Sequence, residues 1–246
     1  MASVIYAHRG ASGYAPENTL ESFKLAMEMG ADGFELDVHV SRDGELIVIH
    51  DETVDRTTNG TGRIMDMTLQ QIKALDASNH MEKYTGARIP TLEEVYSLIQ
   101  GTDLLINCEL KTDAIQYPDI EKKCLDLARR MGVEGQLLYS SFNHYTLMQL
   151  KTLDPTVSTG ALYSNAIYEP WNYVRPLGID NIHPHWANLY IPGLIEGCLK
   201  NGVGINPWTV NDEQVMKRCL HHGIGIITNY PDKALALRRA GGEKVI

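Results

Sequence analysis

Residues 33–38 read Gly33-Phe34-Glu35-Leu36-Asp37-Val38, an apolar run with a carboxylate at every second position. Side chains on a strand return to the same face every second residue. A strand here sends Glu35 and Asp37 to one side and Phe34, Leu36 and Val38 to the other. Two like charges converging at the end of a strand repel each other, and burying even one of them unpaired costs a large fraction of a domain's stability. A cation between them removes the conflict, and hard divalent ions such as Mg²⁺ and Ca²⁺ take oxygen ligands. The pair reads as half of a metal site. The alternative, a surface strand carrying two solvated acids, is disfavoured by the flanking Phe34, Leu36 and Val38.

Outward from this strand the chain alternates β-rich runs with amphipathic helical stretches, the pattern of βα units on a parallel sheet. Ser3–Ala7 is a first strand, and a helix opens near Asn18 or Thr19 as N-cap and stops at Gly30. Leu46–Ile49 follows the turn Ser41-Arg42-Asp43-Gly44 as a hairpin-like extension of strand two. From Asp51 to about Pro90 the pattern weakens to loop with one short helix at Thr68–Leu75, an excursion of the kind that forms lids or small inserted subdomains. Further strands are expected at Leu104–Leu110, Gln136–Ser140, Val157–Leu162, Ile179–Ile182, Gly204–Trp208 and Gly225–Thr228. Helices are expected at Thr91–Gln100, Tyr117–Met131, His144–Leu153, Ile191–Asn201, Asp212–His222 and Lys233–Arg239, with an irregular segment ending at Pro176. Eight core strands in 246 residues are the arithmetic of a (β/α)₈ TIM barrel, with a doubly wound sheet as the alternative. No low-complexity tract divides the chain, so a single domain over 1–246 with a small insertion at about 51–90, after the second strand, is expected.

Composition bounds the function. The chain is 43% hydrophobic and 22% charged, ordinary for a globular protein. Its net charge of −9 gives no basic field to hold nucleic acid or an anionic membrane, so an anionic substrate must be met by local cations. Cys108, Cys124, Cys198 and Cys219 form no C-x-x-C pair, read as buried reduced thiols and point to the cytoplasm. The first strand begins by about Val4, so no cleaved leader is expected, and no apolar run approaches the roughly 20 residues of a membrane helix. A homo-oligomer is compatible with this composition.

The chemistry gathers at the C-terminal ends of strands, the active face of such a barrel. His8 ends strand one, Glu35 and Asp37 end strand two, His50 ends its extension, Glu109 and Lys111 end the third core strand, and Trp208 ends the seventh. Glu109-Leu110-Lys111 repeats the same-face spacing, so Glu109 completes a carboxylate cage and Lys111 sets a compact positive charge beside it. Three acids around one divalent ion leave coordination positions for a phosphate. Two histidines at adjacent strand ends around such a metal make an acid/base pair.

His8-Arg9-Gly10, Pro16-Glu17-Asn18-Thr19, Glu35-Leu36-Asp37-Val38, Asp43-Gly44, Val48-Ile49-His50-Asp51, Thr57-Thr58-Asn59-Gly60, Glu109-Leu110-Lys111 and Trp208-Thr209-Val210-Asn211 together resemble the glycerophosphodiester phosphodiesterase family, of the bacterial cytosolic type, in register from residue 4 to about residue 235. The resemblance implies a (β/α)₈ barrel with an insertion after the second strand. It also implies hydrolysis of a small-molecule glycerophosphodiester to glycerol 3-phosphate and an alcohol with one divalent cation, Mg²⁺ or Ca²⁺. Position by position it makes Glu35, Asp37 and Glu109 metal ligands, His8 and His50 the acid/base pair, Arg9 and Lys111 the phosphate-contacting cations, and Trp208 the aromatic near the glycerol.

One departure falls at Thr228-Asn229-Tyr230-Pro231, where the resemblance leads one to expect Thr-Asp; the lost carboxylate bears on a supporting or lid contact. His183-Pro184-His185 is a weak zinc-like signal, read as the rim of the sixth core strand with at most one histidine reaching substrate. His39 is expected past the strand end, in solvent, and His221-His222 sit near a helix C-terminus. Chemically, a phosphodiester needs its charge neutralised and its leaving alkoxide protonated. The cation with Arg9 and Lys111 supplies the first and one histidine the second, while the other histidine takes a proton from water or from the glycerol 2-hydroxyl. Gripping groups gather on the glycerol phosphate half, so the other alcohol is expected to matter little. The rival readings are a phosphorylated-polyol binding module without turnover and another metal-dependent barrel hydrolase. Retention of every catalytic part tells against the first, and the single His8 on strand one against the second.

Overall fold

The structure, a computed structural model, describes residues 3–242; the first two and last four residues of the domain expected over 1–246 lie outside them. The chain runs β1 (Ile5–His8), α1 (Leu20–Met29), β2 (Gly33–Val40), β3 (Leu46–Val48), α2 (Leu69–Lys73), α3 (Leu92–Ile99), β4 (Leu105–Leu110) and α4 (Ile120–Met131). It continues through β5 (Leu137–Ser141), α5 (His144–Leu153), β6 (Ser158–Tyr163), α6 (Pro170–Val174), β7 (Asn181–Pro184), α7 (Leu194–Lys200), β8 (Gly204–Ile205), α8 (Glu213–His222), β9 (Ile226–Thr228) and α9 (Pro231–Gly242). Strands pair in parallel in the order β8-β7-β6-β5-β4-β2-β1-β9. Gly225 N–H bonds the Ile205 carbonyl (2.9 Å) and Ile227 N–H the Pro207 carbonyl (3.1 Å), which joins the two ends of that path. Eight parallel strands alternating with helices and closed on themselves make the (β/α)₈ barrel. β3 stands outside the circle, antiparallel to the end of β2 through Val38↔Val48, His39↔Ile47 and Val40↔Leu46.

The two-residue period sorts the side chains. Ile5, Ala7, Phe34, Leu36, Val38, Ile106, Cys108, Leu110 and Ile182 belong to the main apolar core. The alternating positions Glu35, Asp37, Asn107, Glu109, Ser140 and His183 are buried as well, but polar. Each large apolar side chain fully removed from water contributes ~1.5–3 kcal/mol, and this outer shell offsets the cost of a polar barrel lining. Local signals set the helix ends: Thr19 and Ser22 form a reciprocal cap on α1, and Gly30 closes it with φ 82°.

Several boundaries differ from expectation. β2 extends to Val40 because β3 pairs with its last three residues, so Glu35 and Asp37 lie within the strand rather than at its end. β8 contracts to two residues. Pro207 has no N–H to give to β9, and the return bond comes only from Val210 N–H to the Ile227 carbonyl (2.8 Å), beyond the strand's end. The segment read as irregular contains α6, with Pro170 at its start, where a fixed φ and a missing N–H cost nothing. Between β3 and α3 a second apolar cluster of Ile47, Ile49, Val54, Ile64, Ile72, Ala77 and Ile89 forms beneath the 51–90 excursion, separate from the main core. The four cysteines are free and buried, Cys108 on β4, Cys124 on α4, Cys198 on α7 and Cys219 on α8. No helix among the described residues is long and apolar enough to cross a membrane.

Candidate active site

The turn after β1 builds one side of the site. Arg9 takes a left-handed φ of 54°, and its main-chain N–H bonds Glu35 Oε2 at 2.9 Å. Gly10 follows with φ 79°, and a Cβ there would meet Ser22 Oγ at 2.4 Å, so the turn packs onto α1 only with glycine. The same loop returns at Asn18, also left-handed (φ 54°), whose side-chain amide donates to Asp37 Oδ2 at 2.8 Å.

Adjacent registers bring the acids together, since β2 pairs β4 with Glu35 opposite Asn107 and Asp37 opposite Glu109. Glu35, Asp37 and Glu109 each offer an oxygen within 4.8 Å of the others. Lys111 Nζ donates to Glu109 Oε1 at 2.8 Å and stands 4.0 Å from Asp37 Oδ1. Arg9 Nε lies 3.4 Å from Asp37 Oδ2, and its Nη1 bonds Glu17 at 2.9 Å. Asp37 Oδ1 is buried and has no hydrogen-bond partner.

The two histidines face the cage with different backing. His8 Nδ1 is 2.7 Å from Asn229 Oδ1, and its Nε2 is 3.9 Å from Glu35 Oε2. His50 Nδ1 is 2.6 Å from Asp51 Oδ1. Arg56 holds Asp51 in turn (2.7 and 3.1 Å) and with its other face Glu17 (2.8 and 2.8 Å), so a chain of ion pairs runs from His50 round to Arg9. One pocket is lined by the polar His8, Arg9, Glu35, His50, Asn107 and Glu109 together with the apolar Phe142, Leu162, Trp208 and Ile227. Trp208 is fixed by its indole N–H on the His183 carbonyl (2.8 Å) and by an edge contact with Phe142.

The model of the glycerophosphoryl diester phosphodiesterase family matches residues 8–233. The chain belongs to this family. A glycerophosphodiester phosphodiesterase of Caldanaerobacter subterraneus subsp. tengcongensis is 47% identical over 98% of this chain and 100% of its own. One from Bacillus altitudinis is 39% identical, covering 95% and 97%. Among solved structures, an Oleispira antarctica phosphodiesterase in complex with the product sn-glycerol-3-phosphate is similar with TM-score 0.89 and 30% identity, covering 96% of each chain. A glycerophosphodiester phosphodiesterase from Agrobacterium tumefaciens is similar with TM-score 0.83 and 33% identity, covering 96% of this chain and 100% of that one. The chain is thus an enzyme of the phosphodiesterase family, and its barrel is that family's fold.

In this family member the electrostatics of the cage ask for a cation. Burial pushes the Glu35 carboxyl well above the usual carboxylate range, and Asp37 and Glu109 push the same way. Burial raises Glu109 too, with Lys111 partly offsetting it. Burial opposes charge on Asp37 as well, but Arg9, His50 and Lys111 outweigh it and hold Asp37 well below that range. Three carboxylates with one orphaned oxygen fit one hard divalent ion. Burial, reinforced by Arg9, lowers His8 to about 4, so its ring stays neutral.

All eight residues singled out from the sequence of this phosphodiesterase family member gather in or around one pocket. Glu17, Asn18, Asp51, Arg56 and Phe142 complete it without having been given a role; the first four sit in or beside the quoted motifs, which was the available signal. His39 is not in solvent but fully buried, bonded to Tyr117 and to the His50 carbonyl. His183 is buried against Asn206, and burial lowers it to about 3; His185 packs on Trp186 and Trp208 at the rim.

Proposed function

We propose that this enzyme hydrolyses glycerophosphodiesters to glycerol 3-phosphate and an alcohol, with Glu35, Asp37 and Glu109 holding one divalent cation and His8 and His50 moving the protons. The observation that carries it is the buried acid cage with an orphaned Asp37 oxygen beside two histidines whose Nδ1 atoms are each already engaged. The name of the Caldanaerobacter relative and the glycerol 3-phosphate bound to the Oleispira phosphodiesterase support the substrate class. A bound cation, Mg²⁺ or Ca²⁺, would neutralise phosphate charge and polarise the phosphoryl oxygen.

The chain's own groups do the rest. Asn229 Oδ1 can accept but not donate, so His8 carries its proton on Nδ1 and leaves Nε2 free. Neutral and buried, His8 takes the proton of the nucleophile, which is either water, giving glycerol 3-phosphate directly, or the glycerol 2-hydroxyl, giving a cyclic phosphate that a water then opens. The Asp51 carboxylate accepts from His50 Nδ1 and fixes the ring, and His50 gives a proton to the departing alkoxide. Lys111 and Arg9 hold the phosphate's negative charge. Phe142 and Trp208 pack on the glycerol carbons. Residues 51–90 act as an inserted subdomain whose Asp51 and Arg56 support His50. The unbridged thiols favour a cytoplasmic setting.

Coupled detection of glycerol 3-phosphate from glycerophosphocholine tests this directly. The signal should vanish with chelator and return with Mg²⁺ or Ca²⁺. Glu35→Ala, Asp37→Ala and Glu109→Ala should weaken cation binding, whereas His8→Ala and His50→Ala should bind it and lose roughly 10²–10⁴-fold in kcat. Near-normal turnover in either histidine variant, or in chelator, refutes the mechanism.

A further inference from the structure

His39 has a double engagement that neither cage nor substrate explains. Its ring is fully buried on β2. Nε2 lies 3.0 Å from the His50 carbonyl and Nδ1 2.9 Å from the Tyr117 hydroxyl, with the two rings edge to face. A carbonyl only accepts, so Nε2 carries the ring proton; Nδ1 then offers a lone pair, and the Tyr117 hydroxyl donates to it. Both bonds are satisfied in one tautomer of a neutral imidazole.

The location gives the reason. The β2–β3 ladder ends at Val38↔Val48, and Ile49 N–H to the Asp37 carbonyl (3.1 Å) is the next main-chain tie back to β2. His50 follows, off the strand. Its carbonyl belongs to the peptide plane joining His50 to Asp51, the two residues that share the 2.6 Å contact. Holding that oxygen fixes the plane from which both side chains depart.

We propose that His39, locked in one tautomer by Tyr117, is a positioning residue for His50: it fixes the His50–Asp51 peptide and thereby aims the His50 ring. This rests on the acid/base role assigned to His50. A misplacement of about 1 Å at a catalytic group can cost on the order of 10²-fold in rate, and leaves substrate affinity nearly untouched.

The experiment measures kcat and KM on glycerophosphocholine with saturating cation, beside thermal unfolding. His39→Leu, which keeps the bulk and loses the donor, should lower kcat by roughly 10–100-fold with KM nearly unchanged. His39→Gln, whose amide can donate to the same carbonyl, should recover most of kcat at a similar melting temperature. Tyr117→Phe disturbs packing least, releases the tautomer, and should lower kcat several-fold. In a His50→Ala background, His39→Leu should cost nothing further. A wild-type kcat in Tyr117→Phe or His39→Leu, equal loss in the Leu and Gln variants, or a full further loss in the His50→Ala background overturns the proposal. Full activity of His50→Ala alone is a different result and removes the acid/base reading instead.

Discussion

At Asn229 an amide stands where a carboxylate is expected, and the exchange falls directly on His8 Nδ1 rather than on a distant contact. An amide oxygen orients the ring and favours its charged form only through one neutral hydrogen bond, which burial and Arg9 outweigh to hold His8 at about 4. Asn229→Asp should place a negative charge there and raise the His8 pKa. A base must be neutral to accept a proton, so the acidic limb of the kcat/KM profile should move up by about one to two pH units; an unmoved limb would separate His8 from the proton-accepting role. Glu35, Asp37 and Glu109 were legible because a strand's two-residue period turns spacing into direction. His39 obeys the same period and was still misplaced, because the length of β2 depends on β3 pairing with it, a contact that local pattern does not encode.

Among the elements, the 51–90 excursion changes most when seen folded. Its Val54, Ile64, Ile72, Ala77 and Ile89 pack with Ile47 of β3 and Ile49 in one apolar cluster, and Arg56 ties it to the α1 loop by gripping Glu17 and Asp51 together. The guanidinium is 45% exposed, and such pairs add only ~0–1 kcal/mol to stability. Arg56→Ala should therefore shift the melting temperature little but reduce kcat by roughly tenfold, because Asp51 loses the partner that orients it toward His50. Arg56→Lys should recover only part, since an ammonium cannot span two carboxylates as a planar fork does. Equal fractional losses of kcat in both variants with a large fall in melting temperature would make the clamp purely structural. The regular βα units were readable from alternation and caps such as Thr19. α6 was missed because five residues are too few to show a helical period, although Pro170 marked its start.

For the whole molecule, the barrel could be counted from the sequence, but its closure could not: the seam depends on Gly225 and Ile227 donating to Ile205 and Pro207, which are near only after folding. The acid cage sets a molecule-wide balance. In cation-free buffer folded Glu35 holds its proton to well above the usual carboxylate range while unfolded Glu35 does not. The folded state then binds more protons, so stability should fall as pH rises above the ordinary glutamate range. Glu35→Gln should flatten that fall in urea titrations run upward in pH from the ordinary glutamate range, and saturating cation should abolish it in the native chain. A pH-independent midpoint in chelator would contradict the assignment.

The four buried thiols double as clocks. All four are out of reach of reagents until their surroundings open, and burial also holds Cys108 well above the ordinary thiol range, Cys198 at about 11 and Cys219 at about 12. Cys108 and Cys124 sit together at β4 and α4, whereas Cys198 and Cys219 ride α7 and α8 on either side of the two-residue β8. Alkylation under native conditions, read by mass spectrometry, should mark the α7–α8 pair first, timing how often the barrel opens at its shortest strand.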